Sequence, residues 1–259
     1  MARVGKLTKD KFGFSGPVDA PLFQKPPFYY RGVESIVVLY ETDEEAALAL
    51  LPEGLEVSSP VTASITLFNA PFTTLGPYRS AIVRIHCLWK GMPKGYVCYQ
   101  IVTGDAAMAA GREIWGYPKK LGRVELTKEE QTFIGAVERP RGYRICTATV
   151  RPELPLDQNT IASLAATLRP PAVCLKVVPS PIEGEGPSLA QLVESGGSAN
   201  VSELWQGTGS LHFDAPSAID PWHRLVVKRV IGTYYSKYDS VLTCGSVLKT
   251  YSSPDARKT

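Results

Sequence analysis

The segment of this chain with the strongest chemical character is Gly111-Arg112-Glu113-Ile114-Trp115-Gly116-Tyr117-Pro118-Lys119-Lys120-Leu121-Gly122. Two lysines stand side by side after a proline, with Trp115, Tyr117 and Leu121 as apolar neighbours. Gly116 and Gly122 permit tight turns on either side. A lysine amine attacks a ketone only as the free base, and its ordinary pKa is about 10.4. Apolar burial disfavours the ammonium form, and so does a second cation close by. Lys119 beside Lys120, among aromatic rings, offers both routes. Once protonated, the imine of such a lysine is an electron sink, which permits loss of carbon dioxide, proton removal at the adjacent carbon, or carbon–carbon bond formation. By spacing alone the pair also fits a solvated Lys-Lys turn. Arg112 is suited to hold a substrate carboxylate by a bidentate hydrogen bond. Arg112 and Glu113 fit equally well as a structural polar pair that positions the lysine loop.

Other chemistries find little support. The histidines His86, His212 and His223 share no HxH or HxxxH spacing, whereas a zinc site gathers three or four ligands in a close cluster. No metal and no cofactor is therefore expected. Gly184-Glu185-Gly186-Pro187 and Gly207-Thr208-Gly209-Ser210 read as turns, because neither continues as the glycine fingerprint of a nucleotide site. No GxSxG nucleophile elbow occurs. The net charge is +3, with scattered basic residues, which argues against a nucleic-acid partner. No run approaches the ~18–20 apolar residues of a membrane-spanning helix, and no apolar h-region follows the N-terminus. The five cysteines are odd in number, far apart and without a CxxC. They read as reduced thiols, and a cytoplasmic location is expected.

The elements that must position the lysine segment are mostly short strands. Strands are predicted over 34–40, 60–69, 79–90, 95–102, 123–127, 132–138, 142–150, 172–179, 201–214 and 223–236, from β-branched and aromatic runs between turn signals. A helix is predicted over 43–51, with Thr42 as its cap and Glu45 completing a capping box. Further helices are predicted over 105–113 and 159–168, the latter stopped by Pro170-Pro171. Residues 1–30 look irregular, 179–187 reads as a surface loop, and 238–250 fits helix or strand. The class is α+β with β dominant, built as a barrel or sandwich, and 1–259 reads as a single domain.

The run Gly111-Arg112-Glu113 … Tyr117-Pro118-Lys119-Lys120-Leu121-Gly122 closely resembles the active-site segment of acetoacetate decarboxylases. The same family is the general example of a lysine activated by desolvation or a second cation. Tyr40-Glu41-Thr42-Asp43, Leu51-Pro52-Glu53-Gly54-Leu55-Glu56, Leu175-Lys176-Val177-Val178-Pro179 and Trp205 with Gly207 are similar to other parts of that family in the same order. The resemblance implies a closed antiparallel β-barrel with a few short helices, assembled as a homo-oligomer. It gives Lys119 the Schiff base and makes Lys120 a pKa perturber or structural neighbour.

Decarboxylases of this family also use an arginine and two glutamates near the lysine. Counting between matched anchors, these fall at Val33, Ile65 and Ser80, with Arg31 and Glu34 close to the first. The implied pocket is apolar and hydroxyl-bearing, walled by Trp115 and Tyr117. Relatives without decarboxylase chemistry keep the lysine, and some condense pyruvate with an aldehyde. In that subgroup a C-terminal polar residue reaches the lysine; Tyr251 is the candidate, with Tyr235 behind it. The expected activity is a Schiff-base lyase of the aldolase or dehydratase type, acting on pyruvate or another 2-oxo acid. Decarboxylation of a β-keto acid, with Glu34 or Glu113 as the acid, stays open. So does non-covalent cyclisation or isomerisation of a hydrophobic natural-product intermediate. The site expected from the sequence is thus Lys119, Lys120 and Tyr251 for catalysis, and Arg112, Glu113, Trp115, Tyr117, Arg31 and Ser80 for substrate.

Overall fold

A computed structural model describes residues 2–251. Thirteen strands form one sheet: β1 (Phe28–Glu41), β2 (Leu55–Glu56), β3 (Thr62–Ala70), β4 (Phe72–Thr73), β5 (Tyr78–Trp89), β6 (Met92–Val102), β7 (Lys119–Leu121), β8 (Arg123–Glu129), β9 (Thr132–Glu138), β10 (Arg144–Pro155), β11 (Ala172–Val178), β12 (Leu189–His212) and β13 (Arg229–Thr250). The helices are α1 (Glu44–Leu48), α2 (Asp105–Ala110) and α3 (Gln158–Leu168). The strand order is β11-β6-β5-β3-β1-β13-β12-β10-β9-β8, and β12 also pairs with β11, so the sheet closes on itself in part. The strand-dominated architecture expected from the sequence is present, but the sheet closes only in part where a closed barrel was expected. Pairing is antiparallel except where β6 meets β11 and β7, which run parallel to it. Among the described residues, no helix is long and apolar enough to cross a membrane.

Alternation along the central strands separates two faces. Ile36, Val38 and Tyr40 of β1, Ile65 and Leu67 of β3, and Val83 and Ile85 of β5 enter the main core. Burying each such side chain contributes roughly 1.5–3 kcal/mol. The alternate residues turn to the other face. Val33, Phe68 and Ile82 there join a second cluster with Trp115 and Tyr117, while Val37 packs with Ile161 and Leu168 of α3. Polar groups share that face: Arg84 donates to the Thr66 hydroxyl, and Ser35 bonds Ser236.

The local differences from expectation have clear causes. Asp43, not Thr42, caps α1, its carboxylate accepting from the Ala46 N–H. Thr42 is instead buried at the strand end, 2% exposed. Residues 238–250 are strand, because β13 is held on both sides, by β1 and by β12. Residues 189–200, rich in Gly and Ser, are also strand, as the first half of β12. Gly207 and Gly209 lie inside β12 and not in a turn. A Cβ at Gly207 would stand 1.8 Å from the Arg151 carbonyl oxygen, so glycine there permits close strand approach.

Candidate active site

Lys119 opens β7, beside Gln100 of β6 in the ladder. Three features of the preceding chain deliver it there. α2 runs into a π turn, Gly111–Trp115. Gly116 then takes a left-handed conformation at φ 82°, with its N–H returning to the Arg112 carbonyl and the Tyr117 N–H to Gly111. Trp115, 1% exposed, anchors the turn against Phe28 and Tyr117. Gly111 has a separate role. A Cβ on it would lie 2.6 Å from Cδ, Cε and Nζ of Lys119, so the lysine runs through space that only glycine leaves open.

The Lys119 side chain is buried, 4% exposed. Its Nζ donates to the Ala107 carbonyl at 2.8 Å and lies 5.3 Å from the Tyr117 ring centroid and 5.9 Å from that of Tyr78. Burial lowers its pKa from 10.5 to about 8. About one amine in eleven is then free base at pH 7, against about one in three thousand for an unperturbed lysine. The amine opens on a cavity of about 270 Å³. Tyr30, Phe68, Tyr78 and Tyr117 supply aromatic wall, and Gln100 and Arg169 supply polar groups. Among the described residues, no carboxylate lines the cavity.

Gln100 is oriented by its neighbours. The Ser80 hydroxyl donates to the Ile101 carbonyl, so its oxygen accepts from the Gln100 amide nitrogen at 2.9 Å. Among the described residues, Oε1 of Gln100 is left buried with no hydrogen-bond donor. The Tyr117 and Ser195 hydroxyls bond at 2.8 Å, and those of Tyr30 and Tyr78 at 3.1 Å, which ties the aromatic wall together.

The residues singled out in the sequence divide sharply. Lys119 and Tyr117 line the cavity, and Trp115 supports it from behind. Ser80 acts one step back, through Gln100. Lys120 points the other way, as strand alternation requires. Its Nζ meets Asp220 at 3.0 Å and the Ile219 carbonyl, so Lys120 is a structural neighbour and burial alone lowers the pKa of Lys119. Arg112 is exposed and braces the Lys119 carbonyl at 3.2 Å. Glu113 is exposed, and Glu34 accepts from the Tyr235 hydroxyl, so neither reaches the lysine cavity. Arg31 faces outward to Asp239 and the Tyr29 ring. Tyr251 donates to the Glu53 carbonyl and packs on the main core, away from the cavity.

Two of the three counted positions are apolar in fact as in sequence. Val33 and Ile65 are both fully buried, but Ile65 faces the main core and not the cavity side. Gln100 and Arg169 were not singled out in the sequence. Gln100 carried a signal, since it stands in the strand that must pair beside the lysine. Arg169, after the last turn of α3, carried none.

Residues 15–252 match the acetoacetate decarboxylase (ADC) family. An acetoacetate decarboxylase of Acidiphilium cryptum is 30% identical over 240 residues, covering 92% of this chain and 95% of that one. The structure of acetoacetate decarboxylase from Legionella pneumophila superposes with a TM-score of 0.84 at 26% identity, over 96% of this chain and 99% of that one. The fold is also similar to that of the enduracididine biosynthesis enzyme MppR, complexed with the condensation product of pyruvate and imidazole 4-carboxaldehyde. That likeness has a TM-score of 0.79 at 22% identity, over 96% of this chain and 100% of the other. With a family match across residues 15–252 and relatives of that family covering over nine-tenths of its length, this chain belongs to the acetoacetate decarboxylase family.

Proposed function

We propose that this enzyme is a Schiff-base lyase in which Lys119 attacks the ketone of a small 2-oxo acid such as pyruvate, and that the resulting enamine condenses with an aldehyde. The single observation that carries the reading is the buried Lys119 amine, held near pH 8 by desolvation, in a cavity lined by no carboxylate among the described residues. Desolvation makes the nucleophile available at neutral pH. The amine adds to the carbonyl carbon to form a carbinolamine, which loses water to give the iminium. Loss of a proton from the adjacent carbon gives the enamine, whose carbon attacks the aldehyde. The new hydroxyl leaves as water, and hydrolysis of the iminium releases the unsaturated keto acid and the free lysine. The unpaired Oε1 of Gln100 is an acceptor suited to the hydroxyl of the carbinolamine or of the aldol adduct.

Decarboxylation of a β-keto acid is the second reading, supported by relatives that carry the acetoacetate decarboxylase name. Here the iminium loses carbon dioxide, and the enamine takes a proton before hydrolysis. Both readings use the same lysine and part only after the iminium.

Borohydride trapping tests them. The enzyme is incubated separately with pyruvate and with acetoacetate, reduced, digested and mapped by mass spectrometry, with carbon dioxide followed in parallel and Lys119→Ala as control. The expected result is a reduced adduct on Lys119 with pyruvate and no carbon dioxide from acetoacetate. Carbon dioxide release with an acetoacetate adduct would move the assignment to the decarboxylase. Adducts that persist in Lys119→Ala would remove both.

A further inference from the structure

The lysine cavity holds an excess of positive charge. Arg169, the residue that caps α3, lines the same cavity as Lys119. Its guanidinium lies 3.4 Å from the Tyr238 ring centroid, and Nη2 donates to the Ser236 hydroxyl at 3.2 Å. A guanidinium carries five N–H donors in a planar fork. Among the described residues one of these is taken, by Ser236, and no carboxylate forms an ion pair with Arg169. A second guanidinium stands behind it: Arg84 bonds Thr66 through Nη1, and its Nε is buried without a partner. Burial, above all, lowers the Arg84 pKa, and the same-sign charge of Arg169 adds to it. Arg169 is half-buried and Arg84 more deeply so, and with no carboxylate partner for either among the described residues an anion in the cavity would offset both charges.

The setting of Arg169 is also pre-organised. Its N–H closes the helix on Ala165, and Pro170-Pro171 fix the chain that follows. Stacking on Tyr238 leaves the edge of the fork free for two parallel hydrogen bonds to a planar acid. Meanwhile the position where the family's arginine was counted is the buried Val33.

We propose that Arg169 binds the carboxylate of the keto substrate and so makes the pocket selective for keto acids over neutral ketones. This rests on the reading that Lys119 is the Schiff-base residue. Arg169 is then a specificity-determining group supplied from the end of α3, and Lys119 and Arg169 hold the two ends of one small molecule.

The test compares pyruvate with methyl pyruvate, which keeps the ketone and lacks the negative charge. Wild type and Arg169→Met are titrated with each, reduced with borohydride, and scored for adduct on Lys119. Loss of charge-assisted hydrogen bonds should raise the pyruvate concentration for half-maximal trapping roughly 10- to 100-fold, with less than about a twofold change for the ester. An unchanged pyruvate titration overturns the proposal, as does an equal loss for acid and ester, which would mark Arg169 as purely structural. A separate arm does not depend on imine formation. Saturation-transfer NMR on Lys119→Ala, with 2-oxo acids from pyruvate to 2-oxooctanoate, should detect binding that Lys119→Ala/Arg169→Met loses. Equal signals in both variants, or no signal from any acid in the series, overturn the anchor whatever Lys119 does. A wild type that traps neither ketone but shows Arg169-dependent acid binding defeats the Schiff-base reading alone.

Discussion

Replacing Lys119 by methionine isolates the cost of placing an amine in this cavity. The folded-state pKa is about 8 and the ordinary value 10.5. The sign follows from proton linkage: below about pH 8 the unfolded chain holds this proton more tightly, so folding is penalised, and the penalty fades as pH rises from about 8 to about 10.5. At pH 7 the depression is worth about 3 kcal/mol, and at pH 9.5 about 1 kcal/mol. Lys119 is buried, so no solvent screening reduces these values. Methionine fills similar space but loses the hydrogen bond to the Ala107 carbonyl, worth about 1 kcal/mol. Lys119→Met should therefore be more stable than wild type by about 2 kcal/mol at pH 7 and nearly equal to it at pH 9.5. Urea unfolding of both proteins at the two pH values measures this, with the m-values compared to check that the same surface unfolds. Every other titrating group is common to both proteins and cancels. A stability difference that is the same at pH 7 and pH 9.5 would refute the claim that a desolvated amine sits at this position. A protein stabilised by losing the amine proposed as its nucleophile is the expected trade between activity and stability.

Four further outcomes follow from the same geometry. Gly111→Ala puts a methyl group 2.6 Å from Lys119 Cδ, Cε and Nζ, and should cut the rate of borohydride trapping at least about tenfold while the fold, followed by circular dichroism, persists. Lys120→Met should leave the break in the pH–rate profile of trapping at about 8 and cost about 1–2 kcal/mol of stability, because Asp220 loses a partner at 3.0 Å. Gln100→Leu removes the Oε1 acceptor beside Lys119 and should lower turnover about 10- to 100-fold, read by steady-state kinetics. Tyr251→Phe should leave both trapping and its pH profile unchanged, since the hydroxyl is committed to the Glu53 carbonyl; a lost alkaline limb would return Tyr251 to the reaction.

Lys119 was legible as a candidate because its signal is local. Pro118, the flanking glycines and the aromatic neighbours all lie within one short segment, and helix-then-strand signals fall on either side of it. The long apolar strands were readable for the same reason: Ile36-Val37-Val38-Leu39-Tyr40 is a β-branched, apolar run of adjacent residues. Lys120 was legible only as a second charge. Strand alternation, a property of the β6–β7 ladder, decides that it leaves the cavity for Asp220, 100 residues away. The count that led to Ile65 shows how fine this dependence is, because one residue along β3 exchanges the main core for the cavity side.

The remainder of the site is tertiary. Ser195-Gly196-Gly197-Ser198 carries the composition of a turn, yet it is strand and forms cavity wall because β13 supplies its pairing. Gln100 is an ordinary polar strand residue until Ser80 fixes its amide and pairing sets it beside Lys119. Arg169 ends a helix in a polar stretch, and only the packing of α3 over the sheet brings it to the lysine. Sequence by itself thus determined the strand-rich class and singled out the lysine segment as the candidate site, both set by neighbours along the chain. The tertiary structure decided which charges share the cavity, because burial and charge pairing depend on residues that meet only after the sheet has closed.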